Sequence, residues 1–131
     1  MPTLTLDQAE ALVIATLVRC RTEEANAKSV ARALVSAEAE GQKGHGLSRV
    51  PTYAAQAKAG KVDGFAKPTL AWKRPGAAVV DAKHGFAYPA IDLALDALPD
   101  AARKNGTAAA AITRFQAGSR NRTSIFGKLR S

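Results

Sequence analysis

His45 stands between two glycines in the run Gly44-His45-Gly46-Leu47-Ser48-Arg49. An imidazole can give or take a proton near neutral pH. The flanking glycines let backbone approach a ligand closely and leave the ring without neighbouring side chains to shield it. Arg49 follows four residues later and Tyr53 four after that. If the chain is helical from Ser48, Arg49 and Tyr53 share a face, and His45 enters from the loop before it. A guanidinium can grip a carboxylate with two prongs, and a phenol adds one more hydrogen bond. That combination suits a 2-hydroxy or 2-oxo acid. The same spacing also fits an exposed loop histidine beside two surface side chains, and spacing alone leaves both readings open.

The elements that must carry these residues begin at Thr5. Thr5-Leu6-Asp7-Gln8 reads as a capping box. Ala9, Leu12, Val13 and Leu17, with Cys20 near the end, then recur at helical spacing. Thr22 reads as the cap of a second helix with Glu23 and Glu24 in its first turn. Its apolar positions are Ala27, Val30, Ala31, Leu34, Val35 and Ala37, and it stops near Gly41. The two form a helical hairpin. Pro51 is acceptable in a helical first turn, so a third helix is expected from Ser48 to Ala59, ended by Gly60. Residues 67–81 read as two short strands around Pro75-Gly76. A fourth helical pattern covers 86–105, with a bend expected near Pro99. Thr107–Thr113 reads as a short buried strand. Nothing after residue 113 has useful periodicity. The expected class is α+β: an N-terminal helical hairpin plus a third helix, then short strands and a fourth helix.

The length of 131 residues supports a real core, and 47% hydrophobic with 23% charged residues excludes disorder along the whole chain. No apolar run approaches a membrane span, and no basic leader opens the N-terminus. The single Cys20 excludes an internal disulfide framework, which fits a cytoplasmic setting. It reads as a small apolar group at a helix end. The net charge of +8 points at first to nucleic acid or membrane. Its distribution argues against that. Arg114, Arg120, Arg122, Lys128 and Arg130 contribute +5 with no acid among them, and residues 1–113 carry only +3. His84 reads as a surface histidine in a turn and Asp81 as a turn former. Two histidines without ligand spacing give no metal site. Trp72 reads as a core or interface residue.

Residues 33–53, with Gly44-His45-Gly46-Leu47-Ser48-Arg49 and Tyr53, resemble the malate/L-lactate dehydrogenase family. Gly60-Lys61-Val62, Val80-Asp81-Ala82-Lys83-His84-Gly85 and Ala102-Arg103-Lys104-Asn105-Gly106 are similar to further segments of it. The resemblance covers about residues 4–113. It implies a partial domain of a larger, non-Rossmann, NAD(P)-dependent dehydrogenase that interconverts 2-hydroxy and 2-oxo acids. It implies a proton donor or acceptor at His45, a carboxylate clamp at Arg49, and polar substrate contacts at Ser48 and Tyr53. The cofactor is NAD or NADP, bound by residues the sequence does not identify. A small carboxylate substrate and a homodimer of the full-length form are implied as well.

Two departures stand out. Gly44 replaces the serine common before the histidine. Thr113-Arg114-Phe115-Gln116-Ala117-Gly118 lacks the second histidine that family members carry after this strand. The resulting expectation divides the chain into a helical substrate-side region over 1–60, the start of a mixed α/β cofactor-binding region over 61–113, and an aberrant or disordered basic tail over 114–131. An N-terminal piece of a dehydrogenase, catalytically silent as a 131-residue chain, is expected. The rival reading is a non-catalytic fragment or small basic module that binds phosphates through the tail.

Overall fold

The structure is a computed structural model that describes residues 3–115 and 124–130. The chain divides into two compact units, Met1–Phe65 and Ala66–Ser131.

The first unit is helical. α1 (Leu6–Arg19) opens on the expected capping box. The Gln8 amide donates to Thr5 Oγ1 at 3.1 Å, and the Thr5 amide donates to Gln8 Oε1 at 2.9 Å. α2 (Glu24–Ala39) follows. Two single 3-10 turns, Lys43–His45 and Leu47–Arg49, lead into α3 (Val50–Ala59). The third helix therefore begins at Val50, with Ser48 and Arg49 in a tighter turn before it. Gly60 takes the left-handed conformation and stops it.

Ala9, Val13 and Leu17 repeat every four residues and bury one stripe of α1. They share the core with Ala27, Val30, Ala31 and Leu34 of α2 and Ala57 of α3. Each fully buried leucine contributes about 1.5–3 kcal/mol, while the alanines add little area and let the backbones approach. Leu12 departs from the expected core, at 59% exposed. It sits at the rim of an apolar groove with Leu4, Val13, Leu47, Val50 and Pro51.

Thr22 does not cap α2. The N-cap is Glu23, without a side-chain bond. The turn at Gly64 occupies that place instead. Gly64 carbonyl oxygen accepts from the Glu23 amide and from Asn26 Nδ2, each at 2.9 Å. A Cβ on Gly64 would overlap the Arg21 carbonyl oxygen and lie 2.7 Å from Thr22 Cα, so only glycine fits this approach.

The second unit is a four-stranded sheet with one helix. β1 (Thr69–Arg74) and β2 (Ala77–Asp81) form the hairpin expected around Pro75-Gly76. α4 (Ala87–Asn105) crosses over to β3 (Thr107–Thr113), which runs parallel to β2. A parallel pair needs such a crossover. β4 (Ser124–Arg130) pairs antiparallel with β3, where the sequence pattern shows no element. The strand order is β1-β2-β3-β4. Ala90, Ala94, Leu98 and Ala102 of α4 pack on Val80, Ala110 and Ile112.

Pro99 lies inside α4 without ending it. Its missing N–H leaves the Leu95 carbonyl without its helical donor. Leu95 is 50% exposed, and water can serve a carbonyl there. Among the described residues, no helix is long and apolar enough to cross a membrane.

Candidate functional site

The segment between α2 and α3 folds as two consecutive 3-10 turns because Gly46 permits the break between them. Gly46 is buried against α2. A Cβ there would overlap the Glu38 carboxylate and sit 3.0 Å from Glu38 Cα. Glycine at 46 is thus required by close approach, whereas Gly44 has open space around it.

His45 is exposed at the end of the first turn. Its amide donates to the Gln42 carbonyl at 2.9 Å. The two residues read as substrate contacts hold the backbone on either side of this turn. Ser48 Oγ donates to the Lys43 carbonyl at 2.7 Å. Arg49 Nε donates to the Gly44 carbonyl at 2.7 Å. Both bonds span five residues, so the second turn fastens the first. The terminal nitrogens of Arg49 have no bonded partner among the described residues. The guanidinium can hold the turn through Nε and still offer its two-pronged edge to a carboxylate. Tyr53 is half-buried one turn further on in α3 and has an interaction of its own. His45, Ser48 and Arg49 are brought together, and Tyr53 follows on the helix.

Sequence reasoning missed Glu38. Its Oε2 is enclosed against the Gly46 backbone and has no hydrogen-bond partner among the described residues. Its spacing from His45 carried no signal, because non-helical turns after α2, and not helical periodicity, bring Gly46 back against it.

Asp81 and Arg114 form a second polar cluster, in the second unit. Arg114 Nε donates to Asp81 Oδ1 at 2.9 Å, and its Nη2 binds Oδ2 as an ion pair. Asp81 Oδ1 also accepts from the Lys83 amide at 2.8 Å, the turn role expected of it. The Arg114 hydrogen bond, then the Lys83 amide, hold the Asp81 carboxyl down at about 2. Asp81 in return raises Arg114 above its ordinary value. Lys83, His84 and Arg114 all have positive φ, at 52°, 66° and 50°. The His84 amide donates to the Arg114 carbonyl at 2.7 Å. His84 is exposed, as expected of a turn histidine. The other tail bases of the rival reading, Arg120, Arg122, Lys128 and Arg130, lie where side chains are outside the described residues.

The His45 turn fits the acid–base half of a carbonyl or imine reduction. Its exposed guanidinium edge suits a carboxylate or a phosphate alike. Its polar side chains are exposed, and its half-buried apolar residue, Leu47, lines the groove with Leu4 and Leu12. Among the described residues, no three histidine, cysteine or carboxylate side chains are grouped to hold a metal.

The profile of the malate/L-lactate dehydrogenase family matches residues 4–120. The chain belongs to that family. It is 40% identical over 109 residues to a Delta(1)-pyrroline-2-carboxylate reductase of Ancylobacter novellus, covering 83% of this chain and 32% of the relative. It is 41% identical over 112 residues to a (2R)-3-sulfolactate dehydrogenase (NADP(+)) of Chromohalobacter salexigens, with the same coverage of 83% and 32%. The crystal structure of delta1-piperideine-2-carboxylate reductase from Pseudomonas syringae superposes with a TM-score of 0.82 at 34% identity. That superposition covers 86% of this chain and 34% of the other. The chain spans about a third of the length of the curated relatives it matches. The family and the α+β class are therefore those the sequence resemblance implies.

Proposed function

We propose that this chain supplies the substrate-side acid–base segment of an NAD(P)-dependent oxidoreductase acting on a small 2-oxo or cyclic 2-imino acid, or the matching 2-hydroxy acid. One observation carries the reading. Ser48 and Arg49 clamp the two carbonyls that precede His45, so the imidazole is held on a fixed turn while staying open to a ligand. A proton donor gains from such pre-positioning. His45 exchanges the proton at the substrate carbonyl oxygen or imine nitrogen. Arg49 takes the carboxylate with its terminal nitrogens. Ser48 positions the turn, and Tyr53 lies on the substrate side. NAD(P) supplies the hydride when bound. The named relatives are a cyclic imine reductase and a 2-hydroxy-acid dehydrogenase, and both substrates place a carboxylate next to the reacting carbon.

The reading extends to a homodimer of the full-length form in the cytoplasm, and to a 131-residue chain that does not turn over alone. Substrate-dependent oxidation of NADPH by the purified chain would overturn that last clause. The acid–base role is tested by a graft. Residues 4–113 replace the matching third of the Ancylobacter novellus reductase, and pyrroline-2-carboxylate reduction is followed. The graft is expected to work, and His45→Asn within it to lower kcat by roughly 10²–10⁴. An equally active His45→Asn graft would remove the role.

A further inference from the structure

α1 has two faces of opposite character. Ala9, Val13 and Leu17 are buried. On the far side Asp7, Ala11, Leu12, Ala15, Val18 and Arg19 are exposed and recur at intervals of three or four residues. We propose that this outer face is the contact for a second copy of this chain, docked antiparallel about a two-fold axis level with Val13, with Asp7 of each copy against Arg19 of the other.

The outer face lacks the charge that a water-facing helix surface carries. α2 shows the ordinary case in the same unit. Its exposed side has Glu24, Lys28 and Arg32, one charge per turn, with Lys28 paired to Glu24 at 3.3 Å. The charged residues of α1 are Asp7, Glu10 and Arg19. Glu10 precedes Val13 by three residues and Leu17 by seven, so it borders the buried stripe. Between Asp7 and Arg19 the outer face therefore carries no charge. Leu12 and Val18 stand on it at 59% and 44% exposed. Large apolar side chains on an uncharged exposed face mark an interaction surface.

The end charges select the partner. Asp7 lies in the first turn and Arg19 in the last, about 18 Å apart along the axis. Neither has an ion-pair partner among the described residues. A surface that ends in one acid and one base is complementary to itself when reversed, which is the condition for an isologous dimer. One register meets every requirement. Asp7 and Arg19 are equidistant from Val13, and so are Ala11 and Ala15. A two-fold axis level with Val13 thus sets Asp7 beside Arg19 at both ends, within an arginine's reach. It sets Ala11 beside Ala15, so nothing bulky separates the two backbones. The Leu12 side chains of the two copies meet on one edge. A contact made for an unrelated chain needs no such symmetry about one residue.

One helix face is smaller than the standard interface of about 800 Å² per partner. The dimer is therefore weak, with a Kd of roughly 10–100 µM. The contact uses no residue of the His45 turn and does not rest on the catalytic reading, which the graft tests separately. It gives self-association a defined surface and places that surface within the 131-residue chain.

Sedimentation equilibrium of the 131-residue chain, over a concentration series up to about 1 mM, is expected to show monomer and dimer and nothing larger. Asp7→Arg and Arg19→Asp should each weaken the dimer about tenfold, because symmetry turns both end pairs from unlike to like charge. An equimolar mixture of the two variants should dimerise as the parent does, because each end then pairs an arginine with an aspartate. Misfolding of either variant cannot produce that rescue. Ala15→Glu should weaken the dimer by roughly tenfold or more, with unchanged circular dichroism, because it puts a charge in the middle of the face. The proposal fails if the chain stays monomeric throughout, which would leave the face to another chain segment or another protein. It also fails if larger species form, if the charge variants assemble as the parent does, or if their mixture stays monomeric.

Discussion

Arg49 reaches back five residues to hold the Gly44 carbonyl, and in doing so it fixes the backbone that presents His45. This bond is made without any substrate. Arg49→Ala should therefore loosen the turn in the ligand-free chain. Amide exchange at His45 is expected to rise by about tenfold, in keeping with loss of one hydrogen bond of ~1–1.5 kcal/mol. An arginine that only gripped substrate would leave that exchange rate unchanged.

Two glycines separated by one residue should respond oppositely to alanine. Gly46→Ala must push against Glu38 backbone and is expected to destabilise the chain by about 2–3 kcal/mol. Gly44→Ala meets open space and should be neutral or stabilise by up to ~1 kcal/mol through the unfolded state. Urea midpoints of the two variants decide it.

Thr22→Val is expected to raise the melting temperature by a few degrees. Thr22 is 3% exposed, and its hydroxyl has no partner among the described residues. Replacing an unsatisfied buried hydroxyl by a methyl of similar shape removes a desolvation cost of about 1 kcal/mol. A fall in melting temperature would show that the hydroxyl is engaged.

Asp81 should titrate with a midpoint of about 2. Its folded value lies below its unfolded one, so the carboxylate favours the folded state above pH ~4, and that contribution fades as the pH falls toward 2. Arg114→Gln should return the midpoint toward the ordinary carboxylate range, because the Arg114 hydrogen bond is the leading cause of the shift. Carbon-detected NMR titration of the side chain measures both.

The parts legible in the sequence were those decided within a few residues. Thr5 and Gln8 cap each other three residues apart, and Pro75-Gly76 turns a hairpin whose strands lie on either side. The helical stripe of α1 was legible in spacing but not in width. Leu12 lies on its flank, and periodicity does not say which neighbour stops short of it. Thr22 was misjudged because its competitor, Gly64, is distant in the chain. That α4 runs on through Pro99 was not legible, because it depends on the exposure of Leu95, whose carbonyl the proline leaves without a donor. At the candidate site, the residue types were visible but not their bonds. Ser48 and Arg49 read as ligand contacts, and their bonds to the Lys43 and Gly44 carbonyls could not be read because they depend on the 3-10 turns. Trp72 was read as a core or interface residue, and its half-exposed place beside the hairpin bulge on an edge strand takes it out of the core.

The Gly64 turn has a consequence in time. Asn26 Nδ2 donates to a carbonyl 38 residues further along the chain. On a ribosome adding about 5–20 residues per second, the start of α2 waits roughly 2–8 s for that partner to be made. Until then the bond from Asn26 to the Gly64 carbonyl cannot form. The helical hairpin can form early, but the first unit becomes a closed loop only when its last turn emerges, so the segment at 63–65 acts as a latch that the nascent chain closes from behind.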